Sequence, residues 1–262
     1  MTADRDYRTV NRGGWERLAR LGSDSSRPYS DEQLVHAREW LDPYAWLPWE
    51  EIHDVLCLGA GGGQQGPMFA SLGCRTTVLD LSPDQLALDR ATAERAGLAL
   101  ECVEGDMSDL SVLAGRRFDL VHQAICSCYV PDLRPVHRGV RAVLAPGGWY
   151  DVEHWNPLHA QLRGYGVWQD GGYEIEHPLA PGRPVPWFLP GEEGDEEAAC
   201  WHYVHHLADL VGDVCRAGFT VVRVAERPDR EVDVQPGAAG HLAAYAPSFL
   251  RLLCRAAPGT PA

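Results

Sequence analysis

The stretch that decides the fold, residues 53–80, reads HDVLCLGAGGGQQGPMFASLGCRTTVLD. Its apolar run at 55–58 is typical of a parallel strand that is buried on both faces. The glycine-rich segment at 59–66 leaves the backbone bare where a bulky ligand can approach closely. A short helix and a β-branched strand then lead to Asp80, whose carboxylate suits the hydroxyls of a ribose. The stretch therefore predicts a strand–turn–helix–strand unit that binds a nucleoside cofactor.

The composition is that of a globular protein and narrows the range of partners. The chain has 262 residues, 45% of them hydrophobic, so it can bury a full α/β core. The formal net charge is −14, and the 23 basic residues form no patch along the sequence. Nucleic acids and anionic membranes need clustered Lys and Arg, so we expect neither as a partner. No run reaches the roughly 18 apolar residues of a membrane helix.

The eight cysteines form neither a disulfide pattern nor a metal-binding pattern. No C-x-x-C pair is present, and Cys57, Cys102 and Cys126 lie in or beside apolar runs, where Cys acts as a small hydrophobe. The first ten residues, MTADRDYRTV, contain no apolar signal region. We therefore expect reduced structural thiols, a cytoplasmic location and no bound metal.

Strands and helices alternate after residue 80. Ser82 and Pro83 mark a helix start, with Ser as the N-cap and Pro at the first helical position. The pattern predicts strands at 98–103, 118–124, 149–153, 219–225 and 249–254, and helices at 83–96, 132–144 and 201–218. This alternation predicts an α/β fold with a parallel sheet and helices on both faces.

Two segments lie outside the alternation. Residues 1–48 contain helical patterns, and we expect them to form an N-terminal helical cap on a cofactor-binding domain at 49–262. Residues 155–200 are rich in proline, glycine and tryptophan, include an acidic run at 192–197, and are too long for an ordinary loop. Their aromatic content argues against disorder, so we expect an insertion or lid that shapes the substrate site.

Four motifs make the chain resemble a class I S-adenosylmethionine-dependent methyltransferase over about residues 50–155. They are LCLGAGGGQQ at 56–65, VLDLSPDQL at 78–86, VEGDMSDL at 103–110, and FDLVHQA at 118–124 with LAPGGWYDVE at 144–153. The resemblance implies a Rossmann-like, doubly wound sheet of seven strands with the last strand antiparallel. It also implies S-adenosylmethionine as cofactor, S-adenosylhomocysteine as product, and methyl transfer as the activity.

The resemblance further implies which residues bind the cofactor. The glycines admit the methionine moiety and ribose, and Asp80 accepts hydrogen bonds from both ribose hydroxyls. Asp106 receives the adenine amino group, Leu81 and Met107 pack on the adenine ring, and Gln123 lies near the methyl group. The full implied set is Gly59, Ala60, Gly61, Gly63, Gln64, Asp80, Leu81, Asp106, Met107 and Gln123.

An NAD(P)-dependent oxidoreductase is the main alternative within this fold class. The segment from Gly61 to Gly66 satisfies the dinucleotide pattern G-x-G-x-x-G. Counted from Gly59, however, the third position is Gln64, which would hinder close packing of the helix against the strand. The Gly-Asp-Met segment at 105–107 also has no role in dinucleotide binding. We therefore favour the methyltransferase.

A hydroxyl or ammonium acceptor must lose a proton, and histidine is the usual base. His154 is the first candidate, because it follows the strand at 149–153 at the edge where ligands bind in open α/β folds. His202 and His206 are the other candidates, since residues four apart would share a face of the predicted helix. His122 should point away from the side of Gln123, which favours a core role.

The acceptor is expected to be a small organic molecule, apolar or aromatic in part, such as a secondary metabolite. Aromatic residues near the predicted pocket mouth, among them Trp155, Trp187 and Trp201, favour this class. The alternative is a protein that keeps the fold without methyl transfer, either cyclase-like or a regulatory binder, since the pattern singles out no acceptor base. The acceptor, the atom methylated and the oligomeric state, with a homodimer as one option, stay open.

Overall fold

A sheet of seven strands forms the centre of the protein. The computed structural model describes residues 6–180, 182–187, 200–228 and 231–257. The strands are β1 (Asp54–Leu58), β2 (Arg75–Asp80), β3 (Leu100–Glu104), β4 (Phe118–Ala124), β5 (Leu144–Trp155), β6 (Pro184–Trp187), β7 (Cys200–Tyr203), β8 (Phe219–Arg227) and β9 (Phe249–Ala256). The order of the strands in the seven-stranded sheet is β3-β2-β1-β4-β5-β9-β8. Strands β1 to β5 pair in parallel, whereas β9 lies antiparallel between β5 and β8. This arrangement confirms the predicted α/β fold.

Helices flank the sheet and precede it in the chain. They are α1 (Tyr7–Leu21), α2 (Asp31–Val35), α3 (Ala37–Leu41), α4 (Gln65–Ser71), α5 (Pro83–Ala96), α6 (Arg134–Val143), α7 (Pro157–Gln161) and α8 (Asp213–Arg216). The Ser82 hydroxyl caps α5 by accepting a hydrogen bond from the Gln85 amide at 3.2 Å, as predicted. Within the described part of the chain, no helix is both long and apolar enough to cross a bilayer. The division into a cap at 1–48 and a domain at 49–262 stays a prediction.

The segment after β5 differs from the prediction. Strands β6 and β7 form a separate two-stranded antiparallel sheet, and Val185 lies opposite His202 in its register. The predicted helix at 201–218 is therefore wrong at its start, because residues 200–203 are a strand and regular helix begins only after a π-helical turn at Ala208–Gly212. His202 and His206 consequently do not share a helix face. The acidic run at 192–197 lies outside the described residues.

A buried ion pair joins the antiparallel strand to the sheet. The Arg251 guanidinium of β9 donates to both Asp151 carboxylate oxygens, at 2.8 and 2.7 Å, and His122 Nδ1 lies 2.8 Å from the same carboxylate. Burial acts to raise the pKa of Asp151, but the charge of Arg251 and these hydrogen bonds outweigh it and lower the pKa to about 2. His122 thus has the core role that its strand position predicted.

Replacing Gly66 in α4 by Ala is expected to destabilise the fold by about 1–3 kcal/mol. A Cβ at this position would lie 2.4 Å from Val78 Cγ2, so α4 would have to move away from β2. Gly13→Ala in α1 is the matched control, because that glycine is exposed and its Cβ would meet no atom within 4 Å. Ala there should stabilise the helix by about 0.5–1 kcal/mol. Urea unfolding measures both changes, and two substitutions of equal effect would contradict the close contact.

Candidate functional site

A cavity of about 340 Å³ lies at the carboxyl ends of β1, β2 and β4, beneath α1. Its volume is in the range of small-molecule and cofactor sites. From the predicted cofactor-binding set it is lined by Gly59, Ala60, Gly61, Gln64, Asp80, Leu81, Asp106 and Met107. From the rest of the chain its lining includes Tyr7, Asn11, Trp15, Gln85, Cys126, Cys128, Tyr129, Trp155, Trp187, His202 and Phe249. The structure therefore brings most of the predicted residues to one place.

Asp80 at the end of β2 is fixed by backbone amides. Its Oδ2 accepts from the Gly61 N–H at 2.9 Å, and its Oδ1 accepts from the Ser82 N–H at 2.8 Å. Burial raises the pKa of the Asp80 carboxyl, and these backbone hydrogen bonds act in the opposite direction. A Cβ on Gly61 would lie 3.0 Å from Asp80 Cγ, so glycine is needed where the turn meets the carboxylate.

Asp106, after β3, is held by the N-terminal helix. Its carboxylate accepts from the Tyr7 hydroxyl and the Ser108 hydroxyl, each at 2.8 Å, and pairs with the Arg8 guanidinium. Burial acts to raise the pKa of Asp106, but these hydrogen bonds and the charge of Arg8 outweigh it and lower the pKa. The second predicted carboxylate is thus an anion at the cavity wall opposite the glycine turn.

Asn11 joins α1 to the segment after β5. Its side-chain amide donates to the main-chain oxygens of Tyr129 and Trp201, at 2.9 and 3.2 Å, and its Oδ1 accepts from the Trp201 N–H at 2.7 Å. Asn11 is 2% exposed, so these bonds are shielded from water. Asn11 therefore fixes α1 as the roof of the cavity.

Gln85 of α5 also lines the cavity, although it lies outside the predicted cofactor-binding set. Its Nε2 donates to the Trp15 main-chain oxygen at 2.9 Å and to the Ser26 hydroxyl at 2.6 Å, while its own main-chain oxygen accepts from Gly62. It therefore connects α1, the glycine turn and α5. In the sequence Gln85 appears only as a polar residue three positions after the N-cap Ser82, and a helix-capping role explains such a residue equally well.

Gly63 and Gln123 belong to the predicted set but do not line the cavity. A Cβ on Gly63 would lie 2.5 Å from Thr92 Oγ1, so this glycine allows close packing against α5. Gln123 is fully buried, and its amide binds the hydroxyls of Tyr150 and Ser127. Gln123 therefore does not line the cavity, and its place near the methyl group stays a prediction.

Part of the cavity lining is a cluster of aromatic rings. The His202 ring stacks on Trp187 with centroids 5.3 Å apart, and it meets Tyr129 and Trp155 edge-on at 4.8 and 5.3 Å. Trp15 contacts Tyr129 edge-on at 5.3 Å and so extends this wall. We name these five residues, Trp15, Tyr129, Trp155, Trp187 and His202, the aromatic wall.

The three candidate bases occupy different places. His202 alone lines the large cavity, and burial lowers its pKa to about 3. His154 is 1% exposed and lines a smaller cavity behind the aromatic wall, and burial also holds its pKa well below the usual value. His206 lines neither cavity. None of the three therefore combines contact with the large cavity and a pKa near neutrality, which a general base needs.

Gln64 does not hinder the packing of α4 against the sheet, so it does not exclude a dinucleotide site. Gln64 is the N-cap of α4, and its side chain donates to the Arg27 main-chain oxygen at 3.1 Å. The close contact of helix and strand lies instead at Gly66, against Val78. The choice between the two cofactor classes therefore rests on other observations.

Comparison with known proteins distinguishes the two cofactor classes. Residues 55–148 match the model of the family described as "Methyltransferase domain". An uncharacterised methyltransferase, YbaJ, from Bacillus subtilis is 34% identical over 182 residues, which cover 68% of this chain and 70% of that protein. A ubiquinone biosynthesis O-methyltransferase from Methylobacterium nodulans is 32% identical over 220 residues, covering 79% of this chain and 80% of that protein.

Solved structures agree on the fold. An S-adenosylmethionine-dependent methyltransferase from Mesorhizobium loti superposes with a TM-score of 0.62 at 24% identity, covering 85% of this chain and 99% of that one. A complex of DhpI with S-adenosylhomocysteine superposes with a TM-score of 0.58 at 21% identity, covering 97% of this chain and 98% of that one. The fold, the cavity and the relatives together define an S-adenosylmethionine-dependent methyltransferase. This chain belongs to the class I family of these enzymes, and S-adenosylmethionine is its cofactor.

Proposed function

We propose that the protein transfers a methyl group from S-adenosylmethionine to a small, planar organic acceptor. The observation that carries this proposal is the mixed lining of the large cavity. Asp80 and Asp106 supply carboxylates to it, and the aromatic wall supplies uncharged rings. A polar nucleoside suits the carboxylates, and an apolar or aromatic acceptor suits the rings.

The residues present fit the cofactor. Asp80 would bind the ribose hydroxyls, because its carboxylate lies at the cavity wall and is fixed in place by two backbone amides. Asp106 would bind the adenine amino group, with Leu81 and Met107 against the ring. Gly59 and Gly61 would admit the methionine end, because both line the cavity and present bare backbone to it. Gly63 and Gln123 would support this set from beneath.

The cofactor supplies an electrophilic methyl group, so this chain has to align the acceptor and exclude water. The aromatic wall suits alignment, because flat rings hold a planar acceptor in a limited range of orientations. His202 stays a neutral imidazole near pH 7, since burial lowers its pKa to about 3, and it would accept a proton from a hydroxyl poorly. We infer that the acceptor loses any proton that it has to lose without the help of a strong base from the protein.

One of the two named relatives supports a small organic acceptor. The Methylobacterium protein is named for O-methylation in ubiquinone biosynthesis, and its alignment covers most of both chains. An oxygen acceptor on a planar ring is therefore the first class to test. The net charge of −14 fits a small organic acceptor better than a nucleic acid. The eight free cysteines fit the expected reducing cytoplasm.

The test is a binding measurement followed by an acceptor screen. Isothermal titration calorimetry should show saturable binding of S-adenosylhomocysteine to the purified protein. Incubation of the protein with S-adenosylmethionine and a panel of phenols, catechols, amines and thiols should then give, with a phenol or catechol, a product heavier by the mass of one CH₂. Binding without methylation of any phenol, amine or thiol in the panel would favour the regulatory or cyclase-like alternative. Absence of binding would reject the proposal.

A further inference from the structure

A second, small cavity lies directly behind the aromatic wall. Its volume is about 10 Å³, enough for about one water-sized group. Cys128, Trp155 and His202 line both this cavity and the large one, so they form the partition between the two. His154 lines the small cavity alone. His154 lies across this partition from the aromatic wall, so a polar group of a ligand reaches it only where the side chains of Cys128, Trp155 and His202 admit that group into the small cavity.

A chain of hydrogen bonds beneath the floor fixes the orientation of the buried polar groups. The Tyr150 hydroxyl, which is fully buried and keeps its proton because burial raises its pKa well above the usual value, donates to Gln123 Oε1. The orientation of the Gln123 amide is then determined, and its Nε2 donates to the Ser127 hydroxyl oxygen at 3.0 Å. The reversed amide would leave the Tyr150 proton without this acceptor.

The same chain determines the tautomer of His154. His154 Nδ1 lies 2.7 Å from the Ser127 hydroxyl oxygen. The other partner of that hydroxyl, Gln123 Nε2, is a donor and cannot accept, so among the contacts of the described residues Nδ1 is the acceptor for the Ser127 proton. Nδ1 is therefore an acceptor, and the proton of the neutral ring resides on Nε2. Burial, and then the nearby His137 and His205, lower the pKa of His154, which keeps the ring neutral.

His154 Nε2 has no hydrogen-bond partner among the described residues, although the atom is buried. A buried N–H without an acceptor is costly, and such groups call for an explanation in a native structure. The small cavity beside His154 offers one, because a ligand oxygen placed there would accept this proton.

We propose that His154 Nε2–H donates a hydrogen bond to an oxygen of the methyl acceptor while the ring of the acceptor lies against Trp155 and His202. This inference rests on the proposed function and names the acceptor class, a planar ring bearing an oxygen. It also replaces the role of candidate base for His154, since the nitrogen that faces the ligand already carries a proton. His154 is then a binding and positioning residue for the substrate.

The tautomer can be tested without any acceptor. In protein labelled with ¹⁵N-histidine and saturated with S-adenosylhomocysteine, long-range ¹H–¹⁵N spectra should show His154 protonated at Nε2 and unprotonated at Nδ1. The Ser127→Ala variant should lose this preference, because it removes the donor to Nδ1, and comparison with it assigns the signal. A His154 ring protonated at Nδ1 in the wild-type protein would overturn the proposal.

Phenol and toluene are the ligand probes, because they share a ring and differ in the oxygen. We expect phenol to bind the S-adenosylhomocysteine complex about 10-fold more tightly than toluene and to shift the His154 Nε2–H resonance. His154→Phe should remove this preference, whereas His154→Gln, which retains an N–H donor, should keep part of it. Equal affinity of the two probes, binding of phenol without the shift, or no binding of phenol would each reject the inference.

Calorimetry of S-adenosylhomocysteine on the same samples separates this inference from the proposed function. His154 does not line the large cavity, so cofactor affinity should be within about 2-fold of wild type in His154→Phe and His154→Gln. If the cofactor binds and the phenol preference is absent, the inference about His154 is wrong and the methyltransferase assignment stands. If neither ligand binds to the wild-type protein, the proposed function itself is wrong.

Discussion

Asp80→Asn lowers the affinity for S-adenosylhomocysteine by about 100-fold. The substitution replaces a carboxylate that is fixed by the amides of Gly61 and Ser82 and lies at the wall of the large cavity. An amide group keeps one acceptor oxygen and carries no charge, so it loses one hydrogen bond to a ribose hydroxyl and the charge assistance of the other. A combined loss of about 3 kcal/mol corresponds to a factor of about 100. Isothermal titration calorimetry measures the change.

Asp84→Asn is the matched control for this experiment. Asp84 lies four positions further along, on the surface of α5, where its carboxylate pairs with Arg20 at 3.1 Å and is 42% exposed. Such an ion pair contributes little, so cofactor affinity should be within about 2-fold of wild type. Circular dichroism should show that both variants are folded. If Asp80→Asn binds as tightly as Asp84→Asn, the assignment of Asp80 to the ribose is wrong.

We expect the protein to lose stability between pH 7.5 and pH 5 through its buried histidines, because burial lowers the pKa values of His137, His154, His202 and His205. His137 and His202 should account for about 4 kcal/mol of this loss. Their pKa values fall to about 4 and about 3, respectively. Both folded-state values lie below the unfolded value of 6.5, so the unfolded chain binds more protons in this interval. The contribution is present above pH 6.5 and is lost as the pH falls toward 4. Buried Asp89, whose pKa is raised by burial, acts in the opposite direction.

Comparison with His137→Phe isolates the histidine contribution from that of Asp89. His137 is fully buried, and neither of its ring nitrogens has a hydrogen-bond partner among the described residues, so Phe leaves no polar group unsatisfied. The loss of unfolding free energy between pH 7.5 and pH 5 should be about 2 kcal/mol smaller in this variant. His36→Gln, at a half-exposed surface position, is the control and should keep the wild-type pH dependence. Urea unfolding at the two pH values provides the measurement, and identical slopes for all three proteins would refute the assignment.

Much of the sheet could be predicted because its strands obey local rules. The apolar runs of β1 and β2 and the Ser82-Pro83 helix start each specify an element by neighbouring residues alone. Strand β7 could not be predicted in this way. Its residues at 200–203 became a strand by pairing with β6 across an insertion, and a pairing partner at that distance leaves no local pattern. The apolar spacing of the helix that follows extended the predicted helix too far toward its start.

The candidate site shows the same division. Asp80, Asp106 and the glycines follow strand ends, so motif order was enough to place them at one edge of the sheet. Gln85 and Asn11 were missed as site residues because their roles depend on α1 packing over the cavity, which is a tertiary contact. His154 was found by its position at the carboxyl end of the predicted strand at 149–153, and it lies within β5. The tautomer that we propose for it could not be predicted, because it depends on Tyr150, whose hydroxyl is linked to His154 through Gln123 and Ser127.

The bonds of Asn11 also bear on how the enzyme matures during synthesis. The two residues that form the pair, Asn11 and Trp201, are 190 positions apart in the chain. Because the ribosome releases the chain from its N-terminus, the hydrogen bonds between Asn11 and Trp201 can form only once most of the polypeptide has been made. The strands that carry Gly59 and Asp80 emerge earlier and can pair before that. The contacts that fix α1 over the cavity through Trp201 are therefore among the later ones of the site to form.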